Sequence, residues 1–207
     1  GAGQDHWYWS APLDAPAQAD LSFDLPDFAP DAGAMTLRVA LAGRTDAIGP
    51  LPDHHTRVLL NGHLLADAYW DGQVQFVHTA VFTQALAAEG ANTVTVIAVG
   101  DTGAAVDSIY ANWVEVDYPA RYVAVGDRLE FGAAQAGDNA FLVGGFGEAA
   151  IEVYDITDPQ RPVRLRNVIG EAAGPDFAIR FEDQAPANAR YLALTPTARG
   201  RPADVRP

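Results

Sequence analysis

The sequence predicts an all-β protein: a jelly-roll β-sandwich followed by a second, small β-sandwich-like unit. Three observations lead there. Short runs of alternating apolar and polar residues recur along the whole chain, turn residues separate them, and a single stretch, TQALAAEG (83–90), has a helical pattern. The 207 residues, 49% of them hydrophobic, are enough for one large domain or two small ones with a sizeable core.

Taken in order, LSFDL (21–25) alternates as a half-buried strand should, and MTLRVALAG (35–43) places Leu37, Val39 and Leu41 on one face. TRVLLNGHLLADAYW (56–70) carries Asn61-Gly62 between two apolar runs, a pair that tolerates positive φ at both turn positions and so predicts a hairpin. QVQFVHTAVF (73–82) is a further strand with Val74, Phe76 and His78 in phase. Gly90 stops the helical turn, and NTVTVIAVG (92–100) and SIYANWVEVDY (108–118) complete the first unit, placed at 1–119. Pro119 ends the last of these strands. A second unit, placed at 120–200 and Ig-like in size, follows with RYVAVGDRLEF (121–131), FLVGGF (141–146), IEVYDI (151–156), PVRLRNV (162–168), DFAIRF (176–181) and RYLALT (190–195). The last stretch, 201–207, lacks periodicity and reads as a linker or cut end.

Charge separates the halves. Residues 1–119 hold three arginines against fifteen acidic residues, and the remainder holds ten against twelve. With a net charge of −14 and no lysine, nucleic acid is excluded as a partner, since it needs basic patches. No apolar run is long enough to span a membrane. The absence of cysteine rules out disulfides, cysteine-rich zinc sites and a cysteine nucleophile in this chain. No serine lies in a G-x-S-x-G turn, and GGFGEA (144–149) lacks the order of a nucleotide loop. Catalytic residues are therefore expected to be none.

Two patterns invite a site. DHHTRVLLNG (53–62) places His54 and His55 side by side behind Asp53. Neighbours on a strand point to opposite faces, so the two cannot share one metal there. The expected arrangement is one histidine half-buried and hydrogen-bonded, the other outward, at the approach to the hairpin. The second pattern is aromatic: HWYW with Trp7 and Trp9, and YWDG with Tyr69, Trp70 and Asp71. Exposed, these would form stacking platforms for a sugar; the other reading is that one aromatic of each cluster caps the core.

The order strand, Asn-Gly, strand, then Gly90-x-Asn92-x-Val94-x-Val96 is similar to jelly-roll domains of β-galactosidase-type glycosidases and to galactose-binding-like modules. That likeness implies a structural calcium near strand ends, with Asp101 and Asp107 as candidate ligands and no other cofactor. Across the chain, DHHTRVLLNG, GANTVTVIAVGD, DSIYANWVEVDYPARY and IEVYDITDPQRPVRL occur in an order that resembles the non-catalytic region upstream of the catalytic domain in bacterial gingipain-like cysteine peptidases. The resemblance implies a bacterial secreted or cell-surface protein, an accessory region with a catalytic domain of the same polypeptide as its partner. Its work would be docking, scaffolding or adhesion. The alternative is a carbohydrate-binding module whose partner is a polysaccharide or cell-surface glycan.

Overall fold

The computed structural model describes residues 8–30, 33–49, 51–133 and 135–200. The chain divides into two compact units, Gly1–Ala120 and Arg121–Pro207. Residues 201–207 lie outside the described residues, as do His6 and Trp7.

The first unit contains β1 (Leu13–Asp14), β2 (Ala17–Leu25), β3 (Met35–Gly43), β4 (His54–Leu60), β5 (His63–Trp70), β6 (Gln75–Phe82), β7 (Gly90–Ala98) and β8 (Ser108–Asp117). They form two four-stranded sheets in the orders β1-β8-β3-β6 and β2-β7-β4-β5. Every pairing between these strands is antiparallel. Eight strands alternating between two sheets in this order make a jelly roll. The strand pattern fills the space between the sheets: Leu37, Val39 and Leu41 of β3 face Val58, Leu60, Val94 and Val96 in one buried cluster. Each such side chain contributes about 1.5–3 kcal/mol by leaving water. The helical turn is shorter than expected, a 3-10 turn over Gln84–Leu86, because Gly90 already belongs to β7. Asn92 explains that stop. Its side chain accepts the Ala88 N–H and donates to the carbonyls of Ala88 and Gly90, fixing the backbone as it enters the sheet.

The Asn61-Gly62 hairpin forms between β4 and β5, with φ of 48° at Asn61 and 83° at Gly62. A Cβ built on Gly62 meets nothing within 4 Å, so steric crowding is not what demands glycine here. The left-handed backbone is. Gly62→Ala is expected to lower the stability of the first unit by about 1–2 kcal/mol, measured as a shift in its urea midpoint. An unchanged midpoint would show that the turn relaxes to another type.

The second unit contains β9 (Tyr122–Val123), β10 (Arg128–Gly132), β11 (Gly137–Phe146), β12 (Glu152–Asp155), β13 (Val163–Arg164), β14 (Ile169–Ala173), β15 (Asp176–Ala185) and β16 (Arg190–Leu194). Its two four-stranded sheets run β10-β16-β12-β13 and β14-β15-β11-β9, with β9 and β11 parallel. Phe131, Phe141, Phe181 and Tyr191 pack as one aromatic core. The Tyr191 hydroxyl donates to Asp183 at 2.6 Å. Gly144 and Gly145 lie in a bulge of β11, where a Cβ on Gly145 would come within 2.7 Å of Val123. The DITDP turn is held by aspartates: Asp155 accepts the Thr157 N–H and Asp158 accepts the Gln160 N–H. Two strands differ from expectation. PVRLRNV yields a two-residue β13, because Leu165 and Val168 turn into the core. Strand β14 has every residue exposed, so its sequence lacks the alternation that would mark it.

Candidate functional site

The densest chemistry lies at one end of the jelly roll, around DHHTRVLLNG. In β4, His54 and His55 point to opposite faces, as strand neighbours must. The register sets His54 against Trp70 and His55 against Tyr69, and each histidine ring lies on its partner at 4.2 and 3.9 Å between centroids. The difference from expectation is that neither histidine is outward. His54 is 0% exposed and His55 is 1% exposed.

Each ring has an acceptor at both nitrogens. His54 donates from Nδ1 to Asp107 at 2.6 Å and from Nε2 to the Thr45 carbonyl at 3.2 Å. An Asp53 oxygen lies 3.6 Å from Nε2. His55 stands between two carboxylates, with Asp101 at 2.6 Å from Nδ1 and Asp67 at 2.6 Å from Nε2. A neutral imidazole offers one N–H. Satisfying both acceptors takes two, and for His54 this geometry is that of an imidazolium. Burial alone would lower the His54 pKa. The Asp107 hydrogen bond, the charges of Asp53 and Asp107 and the Thr45 carbonyl outweigh it, and the pKa is raised. Burial likewise acts to raise the pKa of Asp53. The N–H groups of Gly72 and Ala47, the His54 charge and Asp71 outweigh it, and the carboxyl is held below its ordinary value. His55 lowers the pKa of Asp67 and of Asp101, with Arg57 assisting at Asp67.

His78 behaves differently. It is 5% exposed, and burial lowers its pKa to about 4. Its Nε2 is hydrogen-bonded with the Thr56 hydroxyl at 2.8 Å, and Thr56 accepts from Trp70 Nε1 at 2.9 Å. The arrangement leaves no room for larger groups. A Cβ on Gly43 would fall 2.9 Å from His54 Nε2 and closer still to the Gly72 carbonyl oxygen.

These contacts dispose of several expectations. Trp70 is 5% exposed and belongs to the core cluster, which overturns its reading as an open sugar platform. Alternation along β5 forces this: with Trp70 turned inward, Tyr69 is the residue left outside, 54% exposed. Its hydroxyl donates to Asp101. Asp71 is exposed, and its carboxylate accepts the Asp53 N–H. Asp101 and Asp107 do not converge on one cation. Each serves a different histidine, and those histidines face opposite sides of β4. Among the described residues no group of three or more acidic or histidine side chains is arranged to hold a metal. Trp9 is 60% exposed beside an apolar slot, while Trp7 lies outside the described residues. Sequence reasoning missed Asp67 and Thr45 as histidine partners. Asp67 carried a signal, since it lies across the hairpin from Arg57. Thr45 acts through a backbone carbonyl and carried none.

The described chemistry is thus that of buried histidines hydrogen-bonded to carboxylates within a jelly roll, joined in sequence to a second β-sandwich-like unit. No protein-family model matches this sequence, and no curated protein matches it. Among solved structures, the dimeric latent PorU from Porphyromonas gingivalis is similar, with a TM-score of 0.55 and 10% identity over 87% of this chain. At that identity the likeness is one of fold. The chain spans 18% of the PorU chain. A cycloisomaltooligosaccharide glucanotransferase from Paenibacillus sp. overlaps 86% of this chain and 40% of its own at 8% identity, with a TM-score of 0.32.

Proposed function

We propose that this chain is a non-enzymatic accessory region of a larger, secreted or cell-surface gingipain-like peptidase protein, serving docking, scaffolding or adhesion. One observation carries the reading: the three histidines gathered at one end of the jelly roll, His54, His55 and His78, are buried and committed to internal hydrogen bonds, while His63 stands exposed at the start of β5. A general base must reach its substrate, and these do not meet solvent. The fold likeness to part of PorU supports the same reading, as does the order of motifs along the chain. The galactose-binding-like likeness of the first unit fits an adhesive role.

The test is direct. The reading frame beyond Pro207 is expected to continue into a domain with catalytic cysteine and histidine, and the purified 207-residue chain to leave peptide substrates intact. A frame that stops at Pro207, or peptide hydrolysis by the chain alone, overturns the proposal. The second reading, a carbohydrate-binding module, is favoured by the exposure of Trp9 and Tyr69. A saturable fluorescence response to one soluble polysaccharide, lost in Trp9→Ala or Tyr69→Ala, would replace the first reading with it.

A further inference from the structure

Among the described residues, the jelly roll is open along one flank. Strand β8 pairs with β3, and among the described residues its other side is covered near its two ends. At the start, β1 pairs with Ser108 and Ile109, and the N–H groups of Trp9 and Ser10 donate to the Ala111 carbonyl at 2.9 and 3.2 Å. At the far end, Phe28 bridges Ala120, and the Ala29 N–H donates to the Pro119 carbonyl at 3.0 Å. Between these closures, residues 112–118 have no backbone partner on that side among the described residues. Across the gap, β2 is the last strand of its own sheet, so it too presents an unpaired edge among the described residues.

The two edges frame a slot of about 200 Å³, lined by Leu21, Phe23, Val114 and Val116, with Trp9 and Tyr118 beside them. These side chains are the half-buried margin of the core. A cavity of about 150 Å³ accepts a benzene ring, so the slot accommodates a phenylalanine or leucine side chain. The charge around it has one sign. Asp24 lines it and no basic residue does. On β8, Glu115 and Asp117 share a single cation, Arg38, at 2.5 and 2.7 Å.

We infer that this slot binds an extended polypeptide strand, which adds to the edge of β8 left open among the described residues and lowers one apolar side chain between the sheets, with arginine or lysine residues flanking it. Main-chain hydrogen bonds along an open edge supply affinity and a side-chain pocket supplies selectivity, the general logic of strand addition. The acidic banks select the basic flanks. The inference deepens the accessory reading and rests on it for the origin of the strand. Its test uses peptides without any catalytic domain, so its failure is separate from failure of the reading-frame test.

The probe is acetyl-Arg-Val-Arg-Phe-Arg-Val-Arg-amide, titrated into the whole chain and followed by tryptophan fluorescence and calorimetry. Saturable binding is expected to persist at about 0.5 M salt, where exposed charges are largely screened. Changing the central Phe to Ala is expected to weaken it about tenfold or more. N-methylation of alternate backbone nitrogens should abolish it, because the strand then cannot pair. Trp9→Ala should weaken it several-fold, and that exposed side chain can be removed without touching the core. Binding that vanishes at high salt, or that survives N-methylation, would overturn strand addition. So would silence toward every peptide, or a saturable response to a neutral oligosaccharide in its place.

Discussion

His54→Ala will cost the first unit about 3–5 kcal/mol, the range for stripping one partner from a buried charge pair. The expectation follows from the surroundings of the ring. Asp107 and Asp53 are 6% and 0% exposed, and both have His54 as their nearby cation. The second Asp107 oxygen is already buried without a hydrogen bond, so the substitution leaves that carboxylate with no side-chain partner. All four tryptophans lie before residue 120. Urea unfolding followed by tryptophan fluorescence therefore reports on the first unit alone. His54→Ala/Asp107→Asn should recover part of the loss, since it removes the stranded charge together with its partner. A single variant as stable as the parent would show that the pair contributes nothing.

The same geometry fixes the sign of a pH dependence. The folded pKa of His54 is raised. Its contribution is therefore full below the unfolded value of about 6.5 and is lost as pH rises through the folded value. Asp53 has a lowered folded pKa, so its contribution is present above the unfolded carboxylate value and is lost as pH falls through the folded one. Stability of the first unit is expected to peak between these limits and to decline on the alkaline side. In His54→Ala that alkaline decline should flatten. An identical decline in parent and variant would assign it to another group.

Trp70→Ala will cost a further unit-breaking amount, about 3–5 kcal/mol by the measure of aromatic truncations in cores. The indole stacks on Phe76 at 5.2 Å, lies against His54 and donates to Thr56, which anchors His78. Its removal empties a ring-sized space and strips a donor from a buried hydroxyl. Tyr69→Ala, one residue away, removes a side chain that is mostly outside and should cost far less. The comparison guards the functional assays. Loss of ligand binding in Trp70→Ala would reflect a damaged sandwich and says nothing of a sugar platform, whereas Trp9→Ala and Tyr69→Ala leave the core intact. Equal costs at Trp70 and Tyr69 in urea unfolding would refute this division.

Much of the fold was legible because alternation survives translation into structure. β3 occupies the expected residues, and the Asn61-Gly62 hairpin formed because its backbone demands are local. Strand β14 was invisible for the converse reason: with both faces exposed, it has no alternation to display. The site was less legible. The histidine pair announced itself, and strand geometry correctly set the two rings on opposite faces. What the sequence reading placed outward, the second histidine, is buried on the outer face as well. That depended on Asp67, Asp101 and Tyr69 arriving there from β5 and from the loop after β7.

The sequence by itself determined the all-β class, the local turns, the acidity of the first unit and the absence of thiol chemistry. Each is a property of neighbours along the chain or of composition. Only the tertiary structure decided which face of β5 turned inward, and so that Trp70 is core and Tyr69 is surface. It alone brought Asp107 to His54 across 53 positions and Asp101 to His55 across 46. It alone left one flank of the jelly roll unpaired among the described residues. Those outcomes depend on contacts between residues distant in sequence, and periodicity carries no information about which distant residues will meet.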